Sequence, residues 1–329
     1  MFDAIEFALC RVYLTPDRPT ALPEDVSPGT LLRDRFGSAL RNSVCPFPHN
    51  ACEAGCLQPA QCAFAHLFAT SLQSQPGAVA GTTRGGDLYR PFVFEPPLRT
   101  RPRYDPRTPL AINLVLIGTA IDHLPTFLLG LRAMGKTGFG EPRAEWTVER
   151  VHSLAQSEAT DGPVLHVAER PGITLEPLRH RYDMLATLAA RMPTDRVTLE
   201  FLTPLRIEEK GTIIREFTSE RIYRALLRRL YDLSSQWCGV TPEGDMRALL
   251  DRLVERTTLQ TLSLNHTVWT RQNNRANKRL PFDGITGRLL IEGDLTESLP
   301  LLLAGEYLHL GKQTVFGMGR YRLDLRPSR

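Results

Sequence analysis

Two segments far apart in the chain follow the same pattern. The first, LPTFLLGLRAMGKTGFGEPR, starts at Leu124, and the second, LPLLLAGEYLHLGKQTVFGMGR, starts at Leu299. Each begins with Leu-Pro and an apolar helical stretch and continues through Gly-Lys, a Thr and Phe-Gly to an Arg. Shorter related stretches, CRVYLTPDRP and VTLEFLTPLRI, precede them and predict an opening strand in each half. This internal repeat predicts a tandem duplication.

Within each half, the hydrophobic periodicity predicts the order strand-helix-strand-strand-helix-strand. That order is the ferredoxin-like split βαβ unit, so we expect an α+β protein with tandem ferredoxin-like (βαββαβ) domains. We place the N-terminal domain at 1–154, an extension and linker at 155–195, and the C-terminal domain with its glycine-rich loop at 196–329. In the first domain, Ser27 and Pro28 predict the start of the first helix.

The stretch GLRAMGKTG also fits the phosphate-loop pattern G-x-x-x-x-G-K-[ST], beginning at Gly130. A phosphate loop must leave a buried strand and enter a helix. Here apolar residues at helical spacing precede the glycines, and Gly138, Gly140 and Pro142 follow them. The order is therefore the reverse of the required one, and we expect no ATP binding.

Composition restricts the possible partners. The chain has 329 residues, a formal charge of +4 and a pI of about 8.8, and only four of its 40 basic residues are lysines. Arginine suits phosphate and base edges, although a GC-rich genome also favours arginine codons. Apolar runs are far shorter than the roughly 20 residues of a membrane helix, and no signal peptide is indicated. We expect a cytoplasmic protein.

Four cysteines lie close together in an insertion at 45–62: Cys45, Cys52, Cys56 and Cys62. Four thiolates at this density can form a structural zinc or iron–sulfur site. The spacing C-x6-C-x3-C-x5-C matches no standard template, so reduced, partly buried thiols are the alternative. Disulfides are disfavoured in a cytosolic chain.

The C-terminal stretch GEYLHLGKQTVFGMGRYRL resembles the glycine-rich signature of the repeat-associated (RAMP) RNA-binding superfamily of CRISPR systems. The helix RDRFGSALR, the segment CAFAHLF and the strand PFVFEPP are similar to its precursor-CRISPR-RNA processing endoribonucleases. The resemblance implies cleavage of repeat RNA that requires no metal or other cofactor. A ribose 2′-hydroxyl attacks the scissile phosphate and leaves a 2′,3′-cyclic phosphate. The implied partners are repeat RNA, the crRNA product and other effector subunits, and the alternative function is a non-catalytic RNA-holding subunit.

The resemblance places RNA contacts in the glycine-rich loop, where glycines let the main chain approach a phosphate. The predicted RNA-binding residues of this loop are His309, Gly311, Lys312, Gln313, Thr314, Gly317, Gly319 and Arg320. A tight turn without a ligand is the alternative, and His309 has the further alternative of capping the preceding helix. Lys136, which occupies the equivalent place in the first repeat, is predicted to bind RNA as well.

A second basic stretch, TRQNNRANKRLPF, contains no acidic residue. We expect a hairpin tip that contacts an RNA backbone or groove. Its predicted RNA-binding residues are Arg271, Arg275, Lys278 and Arg279. A solvated loop is the alternative.

The resembled family supplies its proton-transfer groups from the N-terminal domain, near the first helix. Here that helix offers Arg33, Arg35 and Arg41 but no histidine or lysine. The predicted catalytic residues are therefore these arginines and His49, which follows the helix in PFPHNA. His49 has the alternative of a metal-loop bystander or a fifth metal ligand. We expect His66 and His266 to be packed.

Overall fold

A computed structural model of the protein describes most of the chain. The described residues are 1–24, 26–45, 47, 58, 61–70, 88–156, 159–168, 176–273 and 278–325, with the main chain alone at 270–273 and 278–281. His49, Cys52, Cys56 and Arg275 lie outside the described residues.

The N-terminal half forms a six-stranded sheet with helices on one face. Its elements are β1 (Glu6–Pro16), α1 (Pro28–Val44), α2 (Ala63–Leu67), β2 (Phe92–Glu95), β3 (Leu110–Ile117), α3 (Leu124–Thr137), β4 (Trp146–Leu154), β5 (Val164–Val167), β6 (Arg179–Arg181) and α4 (Tyr182–Ala189). The strand order is β2-β3-β1-β4-β5, and β6 pairs with the start of β1. All of these pairs are antiparallel.

The C-terminal half repeats this architecture. Its elements are β7 (Arg196–Leu205), β8 (Glu208–Glu209), β9 (Thr212–Ile213), α5 (Ser219–Trp237), α6 (Met246–Arg256), β10 (Thr257–Asn273), β11 (Lys278–Gly293), α7 (Leu299–Leu308) and β12 (Tyr321–Asp324). The main sheet has the order β10-β11-β7-β12, and β8 and β9 form a separate hairpin.

The order β2-β3-β1-β4 in the first sheet corresponds strand for strand to β10-β11-β7-β12 in the second. The prediction of an α+β fold with tandem ferredoxin-like domains is therefore confirmed. The segment 155–195 is more than a linker, however. Its strands β5 and β6 extend the first sheet, and its helix α4 packs against α7.

Strand β1 shows how one sheet serves two cores. Its even-numbered residues, from Ala8 to Leu14, pack with α1 and α3 in a core of the N-terminal half. Its odd-numbered residues Phe7 and Leu9 join a second core that includes α5, α7 and both sheets. Since side chains alternate across a strand, the same strand stabilises the first domain and attaches it to the second.

Helix boundaries follow local capping chemistry. Thr218 accepts a hydrogen bond from the Arg221 amide at the start of α5, and Asp245 caps α6. Ser27 stands at the predicted cap position of α1, but its side chain makes no capping bond there. Helix α7 is apolar on all sides because it is buried on all sides.

The GKT sequence of the first repeat lies inside α3, not in a loop between a strand and a helix. A β-carbon on Gly135 would lie 1.8 Å from the Trp146 carbonyl oxygen, so this glycine permits close packing of α3 against β4. Among the described residues, no helix is long and apolar enough to cross a membrane.

Candidate nucleic-acid interface

Helix α1 begins directly against the glycine-rich loop of the other domain. A β-carbon on Gly29 would lie 1.9 Å from the Phe316 carbonyl oxygen, so no other residue fits there without movement of the main chain. One turn later, the Arg33 guanidinium lies 4.1 Å from the centroid of the Phe68 ring and 4.9 Å from that of Phe316. These contacts fix the start of α1 on the loop.

Arg33 was predicted to be catalytic, and the structure gives it a packing position. Its side chain is 15% exposed and pairs with Asp34 at 2.9 Å, in addition to the two ring contacts. A guanidinium held between two aromatic rings joins the domains through cation–π contacts. We therefore correct its assignment from a catalytic residue to a residue that positions α1.

The long hairpin β10–β11 also contacts the glycine-rich loop. Strand β7 pairs with β11 only from Ile285 onward, so the outer part of the hairpin forms an arm beyond the sheet. On this arm Phe282 packs edge-on against Phe316, with ring centroids 5.1 Å apart, and Trp269 packs against the same N-terminal core. The arm therefore crosses from its own domain to the first one.

The predicted basic stretch forms the far end of this arm. Arg271 pairs with Leu280 and Asn273 pairs with Lys278 in the main-chain register, so Lys278 and Arg279 are strand residues near the tip. The structure thus brings together three elements from both domains: the start of α1, the glycine-rich loop at 309–320 and the hairpin arm.

The glycine-rich loop is only partly accessible. Lys312 and Gln313 are exposed and Gly311 is half-buried, whereas residues from Thr314 to Arg320 are buried. Gly311, Lys312 and Gln313 follow the C-terminal end of α7. The Lys312 amide donates a hydrogen bond to the Arg206 carbonyl. The surface that this loop offers a ligand is therefore Gly311, Lys312 and Gln313.

Gly317 and Gly319 do not present free amides, contrary to the prediction. The Gly317 amide donates to the Thr314 carbonyl, and the Gly319 amide donates to the Pro204 carbonyl. A β-carbon on Gly317 would lie 2.7 Å from the Phe94 carbonyl oxygen, and one on Gly319 would lie 1.8 Å from that of Leu310. Both glycines therefore permit close main-chain packing. Thr314, a further predicted RNA contact, is buried and is not accessible to a ligand.

A buried polar network fixes this loop to strand β2. His309, which is fully buried, lies with Nε2 at 2.9 Å from Glu95 Oε1 and with Nδ1 at 3.0 Å from the Met318 carbonyl oxygen. Arg320 approaches Glu95 Oε2 at 3.8 Å, and the Asn113 amide donates to that oxygen at 3.0 Å. Burial opposes ionisation of Glu95, but the Arg320 charge and the His309 hydrogen bond outweigh it, lowering the pKa of Glu95 to about 2.

His309 and Arg320 are therefore corrected as RNA contacts, because their side chains are buried against Glu95. His309 instead occupies the C-cap position of α7 with a φ of 61°, as its alternative interpretation expected. Both ring nitrogens face oxygens, so a charged imidazolium satisfies both contacts.

The remaining predicted residues are spread along their elements. Arg35 is exposed on α1, whereas Arg41 is half-buried near the C-terminal end of that helix. Lys136 is exposed in the last turn of α3, which packs against α1. Since Arg33, Arg35 and Arg41 face different surroundings, α1 by itself does not assemble a cluster of cations.

Cys45 is the C-cap residue of α1 and Cys62 the N-cap residue of α2, and both are half-buried. The other two members of the predicted cluster, Cys52 and Cys56, lie outside the described residues. In the described part of the chain, no group of three or more His, Cys, Asp and Glu side chains is placed to hold a metal ion. The four-cysteine site stays a prediction.

Sequence reasoning missed a charged network beside the loop. Lys312 pairs with Glu208, which accepts from Arg206 Nε at 2.8 Å. Arg206 in turn donates to Asp283 Oδ1 at 2.8 Å, and His266 Nε2 lies 3.1 Å from Asp283 Oδ2. The network therefore runs from the exposed loop to the hairpin arm.

The expectation that His266 is packed is wrong, because its side chain is 39% exposed. The strand alternation places it on one face with Leu264, but His266 lies on the edge strand β10 at the point where the pairing of β11 with β7 ends. His66, by contrast, is half-buried and packs against His123 and Trp237, with ring centroids 5.0 Å and 5.6 Å away.

Two ferredoxin-like domains with a glycine-rich turn after the last helix make up the chain, and solved Cas6 structures share this fold. A family model of an N-terminal domain, AF_1859_N, matches residues 5–176, and a model described as CRISPR-associated endoribonuclease Cas6 matches residues 199–321. The first match covers more than half of the chain, which therefore belongs to the AF_1859_N family, and the C-terminal half is similar to Cas6 endoribonucleases.

Individual relatives match this chain over most of its length. An uncharacterized protein of Archaeoglobus fulgidus is 26% identical over 302 residues, which cover 90% of this chain and 91% of the relative. Among solved structures, Thermus thermophilus Cas6 is 16% identical with a TM-score of 0.53, covering 97% of this chain and 99% of that one. A Cas6 product complex has a TM-score of 0.54 at 17% identity, covering 97% of this chain and 100% of that one.

A larger structure shares the fold as part of a longer chain. The chain of a Cas6-RT-Cas1–Cas2 complex has a TM-score of 0.57 at 9% identity, and the match covers 98% of this chain and 29% of that one. At these identities the structural likeness shows the fold.

Proposed function

We propose that this protein is an endoribonuclease that binds CRISPR repeat RNA and cuts the precursor transcript. The observation that carries the proposal is the convergence of α1, the glycine-rich loop and the hairpin arm at Phe316, with elements from both domains. The match of residues 199–321 to the Cas6 endoribonuclease model supports the substrate and the cleavage.

The proposed reaction needs no metal. The ribose 2′-oxygen attacks the adjacent phosphorus, the bond from phosphorus to the 5′-oxygen breaks, and the products carry a 2′,3′-cyclic phosphate and a 5′-hydroxyl. The enzyme has to hold the two oxygens in line, stabilise the charge on the phosphorane and exchange protons with both oxygens.

The cations that we assign to the RNA backbone lie on the three converging elements. Lys312 is exposed on the loop, and Arg271, Lys278 and Arg279 belong to the arm. Arg275 belongs to the same basic sequence. Contacts of this kind fix the register of an RNA without reading its bases. Gly311 and Gln313 add hydrogen-bonding groups beside Lys312, and Lys136 extends the basic surface from α3.

For acid–base chemistry on the N-terminal side we assign His49, which follows α1 in sequence, with Arg35 and Arg41 stabilising charge. Histidine exchanges protons near neutral pH, whereas arginine stays charged and acts by electrostatics. We also propose that Cys45, Cys52, Cys56 and Cys62 hold a structural zinc or iron–sulfur group, which takes no part in cleavage. Metal analysis of the purified protein, with Cys62→Ser as the comparison, tests that site.

One observation favours a second function, an RNA-holding subunit of an effector complex that does not cut. The described part of α1 carries neither histidine nor lysine, and its three arginines do not converge. Such a protein binds the same RNA through the same loop and arm.

The experiment that separates the two functions is cleavage of repeat RNA by the purified protein in excess EDTA. The endoribonuclease yields a fragment with a 2′,3′-cyclic phosphate end, identified by its mass and by its resistance to 3′-end ligation until the cyclic phosphate is opened. Binding without any product establishes the holding subunit instead. Loss of cleavage in EDTA, restored by Mg²⁺, contradicts the metal-independent mechanism.

Variants then assign the N-terminal groups. We expect His49→Ala to slow single-turnover cleavage by about 100-fold or more, because general acid–base groups contribute on that scale. Arg35→Ala is expected to cause a smaller loss, since an exposed cation is partly replaced by solvent and salt. Wild-type rates in both variants remove this part of the proposed site.

A further inference from the structure

His266 and Asp283 form an oriented pair on the hairpin arm. The imidazole Nε2 lies 3.1 Å from Asp283 Oδ2, and the two residues sit diagonally on the same face of adjacent strands. A carboxylate in this position holds the proton on Nε2 and leaves Nδ1 as the nitrogen that can accept one. The pair therefore presents a base of defined orientation.

The carboxylate itself is held in place. Asp283 Oδ1 accepts a hydrogen bond from Arg206 Nη1 at 2.8 Å, and the side chain is 19% exposed. Burial opposes ionisation of Asp283, but the hydrogen bonds and charges of His266 and Arg206 outweigh it and lower the pKa of that carboxyl. An ionised and fixed Asp283 stabilises the imidazolium that forms when His266 takes a proton.

The pair lies at the end of the network that begins at the accessible glycine-rich loop. Arg206 also donates to Glu208, and Glu208 pairs with Lys312. A backbone phosphate bound at Lys312 is therefore separated from His266 by one continuous set of charged side chains. The other charged groups that face the pair across this network are Arg206 and Glu208.

A purely structural role does not explain these features. The imidazole is 39% exposed and Val268 on the same strand face is 55% exposed, so the face leaves the core beyond Ile285, the buried register partner of His266. A histidine needed only for strand pairing has no reason to be aimed at a carboxylate that a guanidinium already holds.

We propose that His266, positioned by Asp283, is an acid–base residue of RNA strand cleavage. This inference rests on the proposed function and adds a proton-transfer group from the C-terminal domain. As the 2′-oxygen bonds to phosphorus, its proton passes to His266 Nδ1, and the bond from phosphorus to the 5′-oxygen breaks. The 5′-oxygen takes a proton from water, and the imidazolium returns its proton to solvent.

The test is single-turnover cleavage of repeat RNA across pH 5 to 9 by the wild type and by His266→Ala, His266→Gln and Asp283→Asn. His166→Ala is the matched control, because His166 is a half-buried histidine on β5 of the other sheet. The RNA dissociation constant is measured for each protein with a substrate whose attacking 2′-hydroxyl is replaced by hydrogen. Circular dichroism melting checks that each variant is folded.

We expect both His266 variants to cleave at least about 100-fold more slowly while binding RNA within about threefold of the wild type. Asp283→Asn is expected to retain more activity, with the rising limb of its pH–rate profile displaced because the imidazolium loses its carboxylate. The His166 control is expected to match the wild type.

Wild-type rates in folded His266 variants overturn this inference and leave the proposed function intact. Equal losses of binding and cleavage also overturn it, because they identify an RNA-contacting residue that takes no part in proton transfer. A wild-type protein that binds the repeat but makes no product refutes the endoribonuclease function itself, and with it any acid–base role for His266.

Discussion

Replacing Glu95 with glutamine is expected to weaken the attachment of the glycine-rich loop to the first domain. The carboxylate accepts from Asn113 and contacts His309 and Arg320, and its side chain is fully buried. Arg11 Nε donates to Asn113 Oδ1 at 3.0 Å, which turns the Asn113 amide nitrogen toward Glu95. A glutamine amide nitrogen therefore faces the Asn113 donor in one orientation and His309 Nε2 in the other, where the imidazole has to lose its Nε2 proton and Arg320 loses its negative partner.

The expected loss of stability follows from the ionised state of the Glu95 carboxylate. The folded protein lowers the pKa of Glu95 from 4.5 to about 2, a preference for the ionised form worth about 3 kcal/mol. Removing one partner of a buried ion pair costs about 3–5 kcal/mol in other proteins, because the remaining charge stays buried. We expect Glu95→Gln to lower the free energy of unfolding by about 3 kcal/mol.

The assay is thermal and urea unfolding at neutral pH, with Glu200→Gln as the control. Glu200 forms an ion pair with Arg322 at 2.7 Å on the surface, where such a pair contributes only about 0–1 kcal/mol. A melting temperature for Glu95→Gln equal to that of the control refutes the reasoning. Separate unfolding of the two halves in the variant identifies the network as an inter-domain link.

Glu95→Gln also gives a prediction about the pH dependence of stability. Because the folded pKa of Glu95 is below its unfolded value, its contribution to stability is complete above about pH 4.5 and is lost as the pH falls toward 2. The stability difference between the wild type and Glu95→Gln is therefore expected to shrink over that range. A difference that stays constant or grows in acid contradicts an ionised Glu95 in the folded protein.

Two further substitutions test the loop from its two sides. Gly29→Ala places a β-carbon 1.9 Å from the Phe316 carbonyl oxygen, so we expect the free energy of unfolding to fall by about 1–3 kcal/mol and RNA binding to weaken. Ser38→Ala, at an exposed position of the same helix, is the control that we expect to be unaffected. Unchanged melting and binding refute the contact. Lys312→Ala is expected to weaken RNA binding and to reduce the salt slope of log K by about 1, measured against Lys210→Ala at the β8–β9 turn. Equal salt slopes in both lysine variants show that Lys312 makes no phosphate contact.

The duplicated architecture was predictable because each repeat has its own local signals. Apolar periodicity, the Leu-Pro helix starts and Thr218 at the cap of α5 are properties of neighbouring residues, and the structure follows them. The role of the segment 155–195 was harder to predict. Its strands are three and four residues long, and they become strands only by pairing with β1 and β4.

The candidate RNA site depends on contacts between residues that lie far apart in the sequence, which no local pattern predicts. His309 stands beside an accessible turn in the sequence, yet it is buried because its partner Glu95 lies 214 residues away. His266 alternates with apolar residues as a packed strand residue does, yet it is exposed on the edge strand β10, opposite the last β11 residue that pairs with β7. Both errors come from the way in which the two domains meet.

The contact between the two domains is not symmetric, although the two halves share the same architecture. The first domain contacts α5 through Gly118 ahead of α3, where a β-carbon would lie 2.1 Å from the Trp237 carbonyl oxygen. The second domain contacts α1 through Phe316 after α7. Equivalent turns therefore have different neighbours: the glycine turn that follows α3 packs on Ala144, Thr20 and Ala21 of its own domain, whereas the turn that follows α7 contacts α1 of the other domain.

This asymmetry explains why one chain with two similar halves has one candidate RNA site. The start of α1 belongs to the first domain, whereas Lys312, the arm and the His266–Asp283 pair belong to the second. Neither half contains all of these groups, so the orientation of the domains determines whether a phosphate can meet them together. The buried network around Glu95 links the two domains, so we expect it to affect the proposed RNA cleavage through structure, without contact with the reacting atoms.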